Sequence, residues 1–149
     1  MSDIVRDFLS PEGERSVIDA IRCAEKNTSG EIRVHIEAGD GLLPPLVRAS
    51  RVFEILGMHH TEKGNGVLLY IDVAHHGFAI WGGRGIDEVV PEGFWNGIYI
   101  LVRDNFRSGK ITQGLVEAIT QVGTLLKEFF PYQSDDVNEL PDEISRGNV

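Results

Sequence analysis

Apolar residues recur every three or four positions in four parts of the chain, which is the spacing of a helix with one buried face. These segments are 10–26, 44–56, about 92–106 and about 111–129. Ser10 is a good N-cap with Pro11 after it, and Gly57 ends the second segment. A separate helical turn begins near Ile86, before Pro91. The pattern therefore predicts four main helices and one short turn.

Three other segments have the patterns of strands. EIRVHIE, at Glu31–Glu37, alternates apolar and polar residues, so it predicts a half-buried or edge strand. VLLYID, at 67–72, is apolar almost without a break, which favours a central strand covered on both faces. FAIWG, at 78–82, follows a short turn and predicts the second arm of a hairpin.

The order of these elements predicts an α/β fold. A strand, a helix and a second strand make a parallel pair, and the hairpin adds an antiparallel strand. We therefore expect a small mixed sheet of three or four strands with helices on both sides, formed by residues 1–131. Residues 132–149 are polar and acidic, so we expect a flexible tail there.

Composition excludes several classes of function. The chain has 149 residues, a net charge of −9 and 42% apolar residues. The charge argues against nucleic-acid binding and is compatible with attraction of cations. The apolar runs are too short for membrane insertion, and the N-terminus lacks the apolar stretch of a secretory signal. With a single cysteine, these features predict a cytoplasmic protein.

Cysteine and histidine supply no obvious site. Cys23 lies beside the apolar stripe of the first helix, so we expect a buried structural thiol. His35 stands among polar neighbours and is expected to be solvated. The pairs His59–His60 and His75–His76 have neither a cysteine nor a spaced histidine partner, so surface loops are favoured over zinc sites.

The stretch GFAIWGGRGIDEVVPE is the strongest candidate for chemistry. In the expected topology, the start of the first strand (Glu31), the start of the second (Asn65) and the end of the third (82–85) share one edge of the sheet. The glycines would let the backbone approach a bound group. Glu31, Asp87 and Glu88 could supply the oxygen ligands that calcium or magnesium prefers.

Arg84, within the glycine cluster, could bind a phosphate or carboxylate. A structural explanation is equally open: the glycines form a tight turn, Asp87 and Glu88 stabilise a helix N-terminus, and Arg84 pairs with one of them. GGRG lacks the spacing of a phosphate-binding loop, and no catalytic triad can be read from the sequence.

Several ordered segments resemble the TPM domain family. They are NTSGEIRVHIE, ASRVFEILGMHHTEKGNGVLLYID, FAIWGGRGI, the segment 94–131 and PYQSDDVNELPDEIS. The likeness extends over residues 10–145 and is greatest for stand-alone bacterial members without a membrane anchor. The family's namesakes include a plant thylakoid-lumen protein described as an acid phosphatase and involved in photosystem repair.

The resemblance implies a three-layer α/β/α sandwich, divalent-metal binding with calcium in particular, and a phosphatase activity. Glu31, Asn65, Arg84 and Asp87 match residues of the family. Family members often carry aspartate where this chain has Gly83. The loss of that carboxylate is expected to weaken calcium binding.

Three functions are compatible with these features. The first is a divalent-cation-binding module with Glu31, Asn65, Asp87 and Glu88 as ligands. The second is a metal-assisted phosphatase acting on a phosphorylated small molecule or protein, with Arg84 and Asp87 as catalytic residues. The third is a domain that docks a protein partner through its acidic tail, in quality control or complex assembly.

Overall fold

The computed structural model describes residues 3–132 and 144–149. Six α-helices, two of them only four residues long, flank a four-stranded sheet in the described part of the chain. The helices are α1 (Asp3–Arg6), α2 (Pro11–Glu25), α3 (Pro45–Ile55), α4 (Arg84–Asp87), α5 (Phe94–Arg107) and α6 (Ile111–Phe129). The strands are β1 (Glu31–Glu37), β2 (Gly66–Asp72), β3 (Gly77–Gly82) and β4 (Ser145–Arg146).

The sheet has the order β3-β2-β1-β4. Strands β1 and β2 are parallel, with Glu31 opposite Gly66, and β2 and β3 form an antiparallel hairpin. Both pairings confirm the topology expected from the sequence. The sheet lies between a layer formed by α2, α5 and α6 and a thinner layer formed by α3, so the predicted α/β/α sandwich is confirmed.

Local sequence explains where the first long helix begins. The backbone of Ser10 is extended, and its hydroxyl accepts a hydrogen bond from the Gly13 N–H at 3.0 Å. This bond satisfies one of the backbone donors that a helix leaves unpaired in its first turn. Pro11 occupies the first position, where no intrahelical N–H is needed.

Strand β1 differs from the prediction of a half-buried or edge strand, because all seven of its residues are buried. Ile32, Val34 and Ile36 belong to the main core against α2 and α6. The polar residues on its other face are also buried: Arg48 of α3 reaches Glu37, and β4 pairs along the outer side of β1 at His35 and Ile36. Alternation alone does not reveal that both faces are buried.

The end of the chain also differs from the prediction. Ser145 and Arg146 pair in parallel with His35 and Ile36 of β1, and Ile144 is buried. Residues 144–146 are therefore packed against or paired with the sheet and do not form a loose tail, while 133–143 of the predicted tail lie outside the described residues. None of the helices in the described residues has the length and apolar character needed to cross a membrane.

Candidate functional site

The starts of β1 and β2 and the turn after β3 meet at one edge of the sheet. The Asn65 carbonyl accepts a hydrogen bond from the Glu31 N–H at 3.2 Å. The Gly64 carbonyl accepts one from the Gly85 N–H at 2.9 Å. The starts of β1 and β2 and the turn after β3 therefore form one rim, as the sequence predicts.

The glycine turn packs against the chain itself. A Cβ atom at Gly83 would collide with the carbonyl of Gly64, and one at Gly85 would collide with the carbonyl of Lys63. Gly64 has a positive φ of +61°, which few other residues adopt. The glycines thus serve the close approach of two backbone segments, not the approach of a bound group to the turn.

The helix after the turn, α4, begins at Arg84 and is only four residues long. Asp87 therefore lies in its first turn, as the structural explanation expects, whereas Glu88 is its C-cap. Arg84 is exposed, and its guanidinium forms no ion pair with any acidic residue of the described chain. The expected pairing of Arg84 with Asp87 or Glu88 is therefore not observed.

A polar groove of about 740 Å³ opens beside the turn. Its acidic lining residues are Glu54, Glu62, Asp87 and Glu88, and its basic ones are Lys63 and Arg84. The acidic excess favours cations near the groove. Partial burial raises the pKa of Asp87 above its ordinary value.

Behind this groove, Asn65 is 1% exposed and Glu31 is 3% exposed. The Asn65 Nδ2 group donates to Ser29 Oγ at 3.2 Å, and the Asn65 N–H donates to Thr61 Oγ1 at 3.2 Å. The Oδ1 atom of Asn65 accepts no hydrogen bond within residues 3–132 and 144–149. A buried acceptor without a donor is rare and costs about 1–3 kcal/mol.

The four predicted metal ligands therefore fall into two pairs. Glu31 and Asn65 are buried at the rim, whereas Asp87 and Glu88 are exposed in the groove. Within the described ranges, no three His, Cys, Asp or Glu side chains form a group that could hold a metal ion. A cation at this rim would depend on the amide oxygen of Asn65 as well as on carboxylates.

The other end of β1 holds a buried polar network that the sequence analysis missed. His35 is fully buried, although it was predicted to be solvated. Its Nδ1 atom lies 2.7 Å from the Ser145 hydroxyl, and its Nε2 atom lies 3.3 Å from Glu37 Oε1. The prediction was wrong because β1 is an interior strand with β4 paired beside it, and His35 lies between Ser145 and Glu37.

Glu37 is the centre of this network. Arg48 of α3 donates to its two carboxylate oxygens at 2.8 and 2.9 Å, and the Tyr70 hydroxyl donates at 2.5 Å. Burial alone would raise the pKa of Glu37, but hydrogen bonds from His35, Arg48 and Tyr70 outweigh it and lower the pKa to about 2. Burial and the nearby Glu37 raise the pKa of Tyr70 above its usual range.

A signal for this network exists in the sequence, because four polar residues share one face of β1. An arginine on the helix that covers that face could have been matched to Glu37. Ser145 could not, since its pairing spans 110 positions.

The remaining predictions on cysteine and histidine have mixed outcomes. Cys23 is exposed, so the prediction of a buried thiol is wrong; the residue lies beside the apolar stripe of α2 but points outward. His59 lines the groove and His76 lies at the opposite edge of the sheet. Both are exposed, as predicted for residues of surface loops. His75 pairs with Asp72 at 2.9 Å.

Comparison with known proteins identifies relatives of this fold. The NMR structure of the BA42 protein from the psychrophilic bacterium Bizionia argentinensis sp. nov. is 44% identical, with a TM-score of 0.85 over 94% of this chain and 96% of that one. The N-terminal domain of a P. gingivalis protein is 22% identical, with a TM-score of 0.68 over 84% and 82% of the two chains. The N-terminal domain of the cg2496 protein of Corynebacterium glutamicum is 13% identical, with a TM-score of 0.62 over 88% and 81%.

The last two structures share the fold alone, because their sequences are so different. No curated protein matches the chain. The profile of the TPM domain matches residues 5–125, which is most of the sequence. By this match, and by its 44% identity to the BA42 protein, the chain belongs to the TPM domain family.

Proposed function

We propose that this chain is a divalent-cation-binding module that takes calcium, or magnesium as the alternative, at the rim where β1 and β2 begin. The observation that carries the proposal is the Oδ1 atom of Asn65, which is buried and accepts no hydrogen bond in the described chain. A bound cation would satisfy that oxygen. Glu31 is buried at the same rim, where its N–H donates to the Asn65 carbonyl, and its carboxylate would supply the negative charge that the cation needs.

The donor set fits a weak site. Calcium and magnesium bind amide and carboxylate oxygens, and affinity rises with the number of charged ligands. This rim offers Glu31 but has Gly83 where the resemblance to the family implies a carboxylate. We therefore expect a dissociation constant of about 10⁻⁴–10⁻³ M for calcium.

The acidic groove supports capture of the ion. Asp87 and Glu88 lie at its surface beside Gly64, the residue before Asn65. Their charges raise the local concentration of cations without requiring direct coordination. Neutralising either residue should therefore lower the affinity less than removing the Asn65 oxygen.

A calcium titration followed by amide chemical shifts tests this proposal. We expect saturable shifts at 29–31, 61–66 and 82–88 up to about 10 mM calcium. Asn65→Ala should remove them, whereas Asn96→Ala, an exposed asparagine of α5, should leave them unchanged. Magnesium in place of calcium compares the two ions.

Two results would overturn the proposal. One is the absence of saturable shifts at the rim in the wild-type chain. The other is an unchanged calcium affinity of Asn65→Ala, which would show that the Oδ1 atom is not a ligand. If Asp87→Asn alone removed binding, the site would lie in the groove instead.

A phosphatase is the second candidate, and Arg84 favours it. Its guanidinium is exposed in the groove and has no ion-pair partner in the described chain, so it could bind phosphoryl oxygens. Asp87 in the same groove could hold a metal ion or activate water. Turnover of an aryl phosphate that is lost in both Arg84→Ala and Asp87→Ala would support this activity. Turnover in both variants at the wild-type rate would count against it.

Docking of a protein partner through the tail stays a prediction. All five of its acidic residues lie within 133–143, outside the described part of the chain. The cytoplasmic location inferred from composition also stays a prediction.

A further inference from the structure

A second cavity, of about 670 Å³, opens at the opposite end of the hairpin from the glycine turn. Its walls are formed by α1, by the hairpin at Gly77 and Phe78, and by α5. A cavity of this size can enclose a small organic ligand. It is separate from the groove, since β3 runs from one to the other.

Four aromatic side chains make one continuous wall of this cavity. The ring centroids of Phe8 and Phe106 are 5.9 Å apart, those of Phe78 and Phe106 are 6.2 Å apart, and those of Phe78 and Tyr99 are 6.3 Å apart. Tyr99 remains 42% exposed, so the wall is accessible from solvent. Such a surface suits the face or edge of another aromatic ring.

Among the four charged groups that line the cavity, Asp7, Asp72 and Arg103 have partners in the described chain, which leaves Arg107. Asp7 contacts Arg6 at 3.8 Å. The carboxylate of Asp72 has partners within the chain: it accepts hydrogen bonds from the N–H groups of Gly39 and Ala74 at 2.9 and 3.0 Å, and it contacts His75. Arg103 contacts the exposed Asp104 at 3.2 Å. The guanidinium of Arg107 makes no hydrogen bond or ion pair with another described residue.

We propose that this cavity binds a small aromatic carboxylate. The ring would pack on the wall formed by Phe78, Tyr99 and Phe106, and the carboxylate would lie at the mouth against Arg107, with Arg103 beside it. A guanidinium pairs with a planar carboxylate through two parallel hydrogen bonds, which gives the orientation. In a chain with a net charge of −9, an exposed arginine without a partner in the described residues, next to an aromatic wall, favours an anion at this point.

The test uses 2-naphthoate as the probe and the full chain without added metal. We expect saturable amide shifts at 76–78, 99 and 103–107 up to about 5 mM probe, and none at 82–88. Arg107→Gln should weaken binding about tenfold, because one charge-assisted contact is lost. Arg51→Gln, an exposed arginine of α3, should leave the affinity unchanged.

A neutral probe of the same shape, 2-naphthalenemethanol, separates charge recognition from stacking. It should bind at least about tenfold more weakly than naphthoate. The proposal is overturned if naphthoate shifts no residue of the cavity. It is also overturned if the neutral probe binds the wild-type chain as tightly as naphthoate does, or if Arg107→Gln binds naphthoate as tightly as the wild-type chain does. Neither result affects the cation proposal, whose residues lie at the other end of β3.

Discussion

Polar groups are buried near both ends of strand β1, but they differ in hydrogen bonding. The Glu37 carboxylate at one end is hydrogen-bonded through both oxygens, whereas the Oδ1 atom of Asn65 at the other end accepts no hydrogen bond in the described chain. At the carboxyl end, Glu37 receives hydrogen bonds from Arg48 and Tyr70 and contacts His35. At the amino end, the Oδ1 atom of Asn65 receives none in the described chain. A saturated network stabilises one conformation, whereas an unsatisfied acceptor is suited to an external ligand.

The same contrast separates structural from functional roles among the predicted residues. His35 looked like a solvated residue and is part of the framework that holds β4. Asn65 precedes a strand without any motif of its own, yet its amide oxygen is the ligand that we propose at the rim. Substitutions at the two ends should therefore have different effects on stability.

The largest effect is expected at Glu37. Glu37→Gln removes the charge that Arg48 and Tyr70 face, and the free energy of unfolding should fall by about 3 kcal/mol. Urea unfolding at neutral pH measures this loss. Glu128→Gln, an exposed glutamate of α6, should change stability by less than about 0.5 kcal/mol. A loss below about 1 kcal/mol in Glu37→Gln would show that the network is not structural.

Acid should weaken the Glu37 network at the carboxyl end of β1. The pKa of Glu37 is about 2 in the folded chain and 4.5 as its ordinary value, so folding favours the ionised form. Its contribution is therefore complete above about pH 4.5 and declines as pH falls towards 2, with about 2 kcal/mol lost between about pH 5 and 3. Urea unfolding of wild type and Glu37→Gln across this pH range measures the effect. The difference between their free energies of unfolding should become smaller as pH falls. A constant difference would contradict the assignment.

At the amino end, the closest contact is between backbones. Gly83→Ala should lower stability by about 1–2 kcal/mol, because its Cβ atom would collide with the Gly64 carbonyl. Thermal unfolding compares it with Gly97→Ala in α5, where a Cβ atom meets nothing within 4 Å. That control should be neutral or stabilising, since alanine favours a helix. Equal stability of Gly83→Ala and wild type would mean that the 61–65 loop yields freely.

The smallest effect is expected at Asn65. In metal-free protein, Asn65→Leu should change stability by less than about 1 kcal/mol, because loss of the bond to Ser29 is offset by removal of an unpaired acceptor. Thermal unfolding with and without calcium makes the comparison. Calcium should stabilise wild type and not the variant. A loss above about 2 kcal/mol without calcium would show that the Oδ1 atom has a structural partner.

Periodicity made most of the fold predictable. The bounds of β1 and α6 follow from the periodicity within each element, and the parallel pairing of β1 with β2 and the hairpin follow from the order of the elements. The rim followed from topology, because parallel strands that begin together share an edge. Local patterns carry no information on what covers a face, which explains why the burial of His35 and the pairing of Ser145 were not predicted.

The chemistry of the rim was harder to predict than its position. The glycines at 83 and 85 suggested a bound group, but they face the carbonyls of Lys63 and Gly64 instead. That contact joins segments about twenty positions apart and has no signature in either. The unsatisfied oxygen of Asn65 is likewise a property of the packed chain, since asparagine in a loop ordinarily bonds to water or backbone.

A crystal structure grown with calcium would test the cation site most directly. We expect an ion about 2.3–2.6 Å from Asn65 Oδ1, with a Glu31 carboxylate oxygen in the same shell. The opposite result would be a rim without an ion at saturating calcium, with the Asn65 oxygen hydrogen-bonded to water or to the protein. In that case the amino end of β1 would be a second structural network, and the proposed difference between the two ends would disappear.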